Sequence, residues 1–488
     1  MFKTKVFKKG SIVLLIFAAF FSINNLADVD FAKPKLAEAA AAKAPKYVFY
    51  FIGDGLGATQ RTVAEYYMQE KNNDPAYKLT MNTFPVWGVN TTYSADTLVT
   101  DSAAAGTALA AGYKTNNGMI SQLPNGINVK TLVEEAEAKG MATGLATTTR
   151  LTHATPAAFA SHNESRNNEN EIAEDYLDSG VDYLVGGGYR HFVPKTGTLK
   201  SKRTDDRNLV SEFRTVGYKT FVSEASTDFF KNYIPQSKEK VLGLFTYTHL
   251  PYEVDRINEN INVPSLAELT KKGIEVLSKY DNGFFFMIEG GRIDHAAHAN
   301  DVAGVVNDVL AFDAAIKEAV KFYNNHPNET LIVVVGDHET GGMGLGFGKN
   351  YFLKLDTIFD NKVSVDDTLQ GIYKGDRAAF YAYIAENYGL NDLTADEKAQ
   401  IEKAMDIVDN SDKTAATEYG GYDPVAIAVT HIESERANLF WTTYAHSGTA
   451  IPMSAMGVSA EQFSGYKDNT EIAKTMADVM GFKLGLIQ

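Results

Sequence analysis

The chain has 488 residues, 44 % of them hydrophobic, which is enough for one large core or a core with an insertion. Its 46 Lys and Arg against 61 Asp and Glu leave a net charge of −15, so a nucleic-acid-binding surface or an anionic membrane is disfavoured as partner, since both need a cationic face. With no cysteine there is no disulfide, thiolate metal site or thiol nucleophile, and any metal must be held by His, carboxylates and hydroxyls.

The first ten residues, MFKTKVFKKG, carry four Lys, and an apolar run of 13 residues follows from Ser11 to Ile23. That run is short for a bilayer span and suits a secretory signal of about residues 1–39, with a small-x-small cleavage site at Ala37-Glu38-Ala39. The expectation is an exported protein, periplasmic or extracellular, with no membrane attachment after cleavage and a fold that starts near Lys46. YVFYFIGDG (47–55) reads as a buried strand that ends in Gly-Asp-Gly. LVTDSAAAGTALAAG (98–112) reads as an Ala-rich helix with Ser102 at its N-terminus, and MATGLATTTR (141–150) as a second apolar run after a Glu-rich helix. VDRINENINVPSLAELTKKGIEVLSKY leads into a helix that Ser265-x-x-Glu268 caps. GFFFMIEGG (283–291) and LIVVVGDHETGG (331–342) repeat the first pattern, an apolar run and then acids among glycines.

Such runs separated by helices predict an α/β fold, a large mostly parallel central sheet flanked by helices on both faces. Loops at the carboxyl ends of parallel strands share one crevice, so Asp54, Glu289 and Asp337 are predicted to converge. Residues 350–436 hold eight basic and 17 acidic residues and a capped helix from about Thr394. They are read as an insertion, with 46–349 and 437–488 forming the catalytic body.

EGGRIDHAAHAN (289–300) concentrates potential ligands directly after a buried strand. If a helix starts near Ile293, Asp294 and His298 share one face and can grip one ion. Asp337 and His338 on the next strand-end turn, with Asp54, Glu289 and His446, make a set rich enough for more than one metal. Mixed His and carboxylate ligands suit zinc, and carboxylates with hydroxyls suit magnesium. A serine at a helix start is most often only a cap, but Ser102 there also meets backbone N–H groups that favour an alkoxide or a bound anion.

Val99 to Thr107, VTDSAAAGT, is similar to the nucleophile signature of the alkaline phosphatases, and GDG (53–55), HATPAAFASHNESR (153–166), EGGRIDHAAH, GDHETGG and HSGTAIPMSAMG follow in that family's pattern. The resemblance implies a phosphate monoester hydrolase that works through a phosphoserine on Ser102 and releases inorganic phosphate. It implies two zinc ions and one magnesium: Asp294, His298 and His446 hold the first zinc, and Asp54, Asp337 and His338 the second. Asp54 also bridges to a magnesium held with Thr155 and Glu289 beside His153. Arg166 clamps the phosphoryl group, with Asp101 and His295 also at the substrate. A homodimer and a crown-like role for 350–436 are implied as well.

His153 stands where some members have Asp and His295 where some have Lys; a His in place of a carboxylate predicts a weaker hold on magnesium. GLFTYTHLPYEVDR (243–256) resembles a region that binds calcium in animal members, but Thr246 stands where the Glu is expected, which weakens the case for a calcium site there and leaves the question open. His162, His191, His249, His326 and His431 are read as structural or surface residues. Competing readings are a phosphodiesterase, phosphonate-ester hydrolase or phosphomutase built on similar metal sites, and a secreted binding protein without turnover.

Overall fold

The computed structural model describes residues 44–487, so the expected signal segment lies outside the described residues. Ten strands form one sheet: β1 (Tyr47–Gly53), β2 (Val86–Asn90), β3 (Ala142–Arg150), β4 (Tyr183–Gly187), β5 (Tyr218–Val222), β6 (Lys240–Leu244), β7 (Phe284–Gly290), β8 (Thr330–Gly336), β13 (Ile451–Gly457) and β14 (Gly465–Lys467). Four two-residue strands, β9 (Glu339–Thr340), β10 (Gly344–Leu345), β11 (Leu439–Phe440) and β12 (His446–Ser447), make two small antiparallel ladders beside it. The sheet order is β14-β2-β13-β8-β1-β7-β3-β4-β6-β5, parallel throughout except at β13. The expected architecture is therefore the observed one.

Side-chain alternation along the central strands makes two cores from one sheet. Phe49, Phe51, Phe284, Phe286, Ile332 and Val334 face the helices Ala58–Lys71, Leu266–Leu277 and Val302–Asn325. Val48, Tyr50, Ile52, Phe285, Met287, Leu331 and Val333 face the helices Ser102–Ala111, Leu132–Ala138, Ala154–Ala160, Glu169–Asp178 and Asn469–Met480. Burial on both faces is why these strands read as unbroken apolar runs. The predicted capping box is present: Ser265 accepts from the Glu268 N–H, and Glu268 accepts from the Ser265 N–H.

Segment 350–436 has a hydrophobic cluster of its own, with Val365, Phe380, Ile384, Ile401, Met405, Val429 and Ile432 buried among the helices Arg377–Tyr388, Ala395–Asp409 and Pro424–Arg436. Thr394 caps the second helix through a capping box with Glu397, and Arg436 grips that glutamate at 2.6 and 2.8 Å. Leu345 pairs with Leu439 on either side of this segment, whose Leu355 and Ile358 pack into the first of the two sheet cores. Among the described residues no helix is long and apolar enough to cross a membrane.

Gly283 immediately precedes β7 with φ +80°, and a Cβ there would fall 1.9 Å from the Lys46 carbonyl oxygen. Gly283→Ala is expected to lower the unfolding free energy by about 2–5 kcal/mol in urea titration, combining left-handed strain with overpacking. Gly217→Ala, also at positive φ but with open space around it, should lose only the conformational part of about 1–2 kcal/mol. Equal losses at the two positions would show that the Lys46 contact does not constrain the strand.

Candidate active site

Three central strands end level. Gly53 is in register with Gly290 on one side and Gly336 on the other, so the residues just beyond β1, β7 and β8 emerge together. Asp54 and Asp337 follow their glycines, and Glu289 sits on the face of β7 that meets the helices Ser102–Ala111 and Ala154–Ala160. Gly55, at φ +70°, lets the β1 loop lie against the helix Arg292–His298; a Cβ there would be 2.8 Å from Asp294 Cα. Its N–H donates to Asp337 Oδ1 at 3.1 Å, as does that of His338 at 2.8 Å.

Asp101 is the N-cap of the Ser102 helix and accepts from the Ala104 N–H at 2.9 Å. Its other oxygen accepts from the Gly118 N–H at 2.9 Å and from Arg166 Nη1 at 3.0 Å, so one side chain sets both the helix start and the arginine. The run of Ala and Gly that follows Ser102 permits close packing, with Ala158 of the next helix 3.1 Å from where a Gly106 Cβ would lie. Ser102 Oγ is buried, 3.2 Å from His338 Nε2 and 3.5 Å from Asp54 Oδ1.

Three overlapping groups of side chains each bring ligand atoms within 4.8 Å of one another: Asp294, His338 and His446; Asp54, Asp337 and His338; Asp54, His153 and Glu289. The helix Arg292–His298 puts Asp294 and His298 on one face as predicted, with His298 Nε2 3.4 Å from Asp294 Oδ2 and 3.0 Å from His446 Nε2. His338 Nε2 is 3.2 Å from Asp54 and 3.3 Å from Asp337. Thr155 lies at the start of its helix on the Glu289 side, and Arg166 Nη2 is 3.1 Å from His153 Nε2. His295 stands apart from the three groups, its ring 5.5 Å from that of His153.

Burial, and then the charges of Asp337 and Asp294, hold the Asp54 carboxyl well above the usual range. Asp337 is raised in the same way, first by burial and then by Asp294. Burial lifts Glu289 to about 7 against the hydrogen bond from Thr147. Asp294 differs: burial opposes its charge, but His298 and His446 beside it keep it well below the usual range. Reciprocally, His298 rises to about 9 beside Asp294 although burial opposes its proton. Burial and the neighbouring His446 push His338 down, while burial and Arg166 do the same to His153.

Asp54 Oδ2, Asp337 Oδ2, Glu289 Oε1, Thr155 Oγ1 and His153 Nδ1 are buried without a hydrogen-bond partner. Orphaned polar atoms of this kind are rare, and five in one place fit bound cations. The imidazoles agree. His298 Nδ1 lies 2.6 Å from the Tyr444 carbonyl and His446 Nδ1 2.8 Å from that of Thr100, which places the protons on Nδ1 and turns both Nε2 lone pairs inward. Two lone pairs 3.0 Å apart repel unless a cation or proton lies between them.

Residues around this set were not singled out in the sequence. The Thr340 hydroxyl donates to Asp294 Oδ1 and lies 3.2 Å from His338 Nδ1, and the Thr147 and Thr149 hydroxyls both meet Glu289 Oε2. Threonines inside GDHETGG and ATTTR were visible as hydroxyls beside the ligands, but nothing in their spacing separates them from strand-formers. His249 was read as structural, yet its ring centre lies 4.4 Å from that of His295 and 5.6 Å from that of His153. The remaining histidines are structural: His162 pairs with Glu134, His191 with Glu169, His326 stacks on Phe322, and His431 meets Asn300.

The profile of the alkaline phosphatase family matches residues 45–482. Alkaline phosphatase 3 of Bacillus subtilis (strain 168) is 34 % identical over 477 residues, covering 95 % of this chain and 96 % of that one. A cold-active alkaline phosphatase from a psychrophilic Shewanella sp. superposes with a TM-score of 0.75 at 31 % identity, covering 89 % of this chain and 99 % of the other. A TAB5 alkaline phosphatase with a histidine replaced by aspartate and Mg bound in its M3 site gives a TM-score of 0.62 at 26 % identity, covering 91 % and 99 %.

Because the buried carboxylates repel one another without counter-charge, dialysis against a chelator should lower the thermal midpoint, and added Zn²⁺ should restore it. With ion present at about 100 times its Kd, the restored stability is about 2.7 kcal/mol per site. A midpoint indifferent to both treatments in scanning calorimetry would show that no ion belongs there.

Proposed function

The chain belongs to the alkaline phosphatase family and is on that ground a phosphoric monoester hydrolase, metal-dependent as the family is; we propose that it acts through a phosphoserine on Ser102, with two zinc ions and one magnesium. The observation that carries this reading is the buried Ser102 hydroxyl, within 3.5 Å of both Asp54 and His338, at the N-terminus of a helix whose cap also holds Arg166. In this reading Asp294, His298 and His446 hold one zinc, Asp54, Asp337 and His338 the other, and Asp54, Thr155 and Glu289 the magnesium, with His153 beside it. The unpartnered oxygens of Asp54, Asp337, Glu289 and Thr155 support that division. Bound ions supply charge neutralisation and Lewis acidity at the attacking and leaving oxygens.

The protein's own groups do the rest. Arg166, tied at Nη1 to Asp101, presents a planar donor edge to two phosphoryl oxygens, a task Lys performs poorly. Ser102 is the first residue of its helix, and the positive end of the helix dipole favours negative charge beside it. Ser102 gives up its proton and its Oγ bonds to phosphorus as the P–O bond to the ester oxygen breaks, and that oxygen takes up a proton and leaves as the alcohol. Water then attacks the phosphoserine from the opposite side, Ser102 regains its proton, and inorganic phosphate leaves. Export, with cleavage near residues 37–39, belongs to the same reading.

Ser102→Ala should lower p-nitrophenyl phosphate turnover by at least about 10³-fold while inorganic phosphate still binds. Full turnover by that variant would remove Ser102 as the nucleophile, and a preference for the bis-ester would replace the reading with a phosphodiesterase. His153→Asp should tighten Mg²⁺ binding to the zinc-replete protein by on the order of tenfold, since it adds a negative charge next to Asp54 and Glu289. A competition titration that finds the unaltered protein already binding Mg²⁺ as tightly would remove His153 from that role.

A further inference from the structure

We propose that Arg292, held by Asp367 of segment 350–436, is a positioning residue that confines the ring proton of His295 to Nε2. Arg292 is buried at the start of the helix Arg292–His298, only 2 % exposed. Its guanidinium carbon lies 3.5 Å from the ring centre of Tyr252, its Nη2 pairs with Asp367, and its Nη1 is 3.0 Å from His295 Nδ1. Tyr252 is itself tied to the same segment, its hydroxyl donating to Asp366 at 3.4 Å.

A guanidinium carries donors only. The contact with His295 therefore requires the lone pair at Nδ1, and the single proton of the neutral ring is confined to Nε2. Among the described residues Nε2 has no hydrogen-bond partner, and the His295 ring is half-buried. It stands 5.5 Å from the ring of His153, whose Nε2 is 3.1 Å from Arg166, the residue assigned to the phosphoryl group. Nε2–H is thus the one donor His295 can offer an anionic oxygen. The other tautomer would turn a lone pair towards that oxygen and repel it.

An ion pair that merely anchored segment 350–436 would need no imidazole at its inner end. Here the charge of Asp367 fixes the guanidinium, the guanidinium fixes the imidazole, and a segment that supplies none of the proposed metal ligands gains a say in substrate binding. The inference rests on the proposed phosphomonoesterase reading only for the oxygen that Nε2–H meets; the tautomer itself does not depend on it.

The test uses zinc- and magnesium-replete full chain labelled with ¹⁵N-histidine, with His295 signals assigned from His295→Ala. Long-range ¹H–¹⁵N correlation should show His295 protonated at Nε2 in the unaltered protein and a mixture of tautomers in Asp367→Ala, with Asp367→Glu restoring the first state. With p-nitrophenyl phosphate, Asp367→Ala should raise KM and the inhibition constant of inorganic phosphate on the order of tenfold, about one charge-assisted hydrogen bond. In the His295→Ala background the same change should be worth less than about twofold. A proton found on Nδ1 in the unaltered protein, or an equal Asp367→Ala effect in both backgrounds, would overturn the proposal. If no variant hydrolyses the monoester, the functional reading fails, and the nitrogen spectrum still decides the tautomer.

Discussion

Four buried carboxylates, those of Asp54, Asp294, Asp337 and Glu289, stand close enough for the charge of one to disfavour the charge of the next. Sequestered charge of that density is costly unless cations balance it. Much of the surrounding structure answers this cost. Backbone N–H groups of Gly55 and His338 converge on Asp337, threonine hydroxyls on Glu289 and Asp294, and imidazoles on Asp294 and Asp54. What these groups leave unsatisfied, including an oxygen each on Asp54, Asp337 and Glu289, is what the proposed ions would meet.

The sheet makes such crowding possible. Parallel strands paired without slippage deliver Gly53, Gly290 and Gly336 to one level, and each hands on to a turn that carries acids or imidazoles. The helices on one face then bring Ser102, Thr155 and His153 to the same level from the side. A strand moved by one residue would turn its whole side-chain set to the opposite core, so the hydrophobic alternation of Phe49, Tyr50 and Phe51 indirectly sets the ligand geometry.

Much of this was legible in the residues. Continuous apolar runs ending in Gly-Asp-Gly or Gly-Asp-His announce buried parallel strands with a site at their ends, and the four-residue spacing of Asp294 and His298 becomes a shared helix face. The capping boxes at Ser265 and Thr394 were equally plain, because local hydrogen bonding decides them. Long-range pairings were not. Nothing about Arg292 in EGGRIDH foretells Asp367, and nothing about His249 foretells two histidine rings beside it, because those partners meet only once the sheet order is settled. The backbone carbonyls of Thr100 and Tyr444 that orient His446 and His298 carry no side-chain signal at all.

The Thr100 carbonyl has a particular consequence. It belongs to the peptide stretch that leads into Ser102, yet it is the acceptor for the His446 ring. A shift of that stretch large enough to move the Ser102 hydroxyl therefore also disturbs an imidazole contributed from the far end of the chain. A substitution near Thr100 therefore bears on two side chains at once, the hydroxyl of Ser102 and the ring of His446.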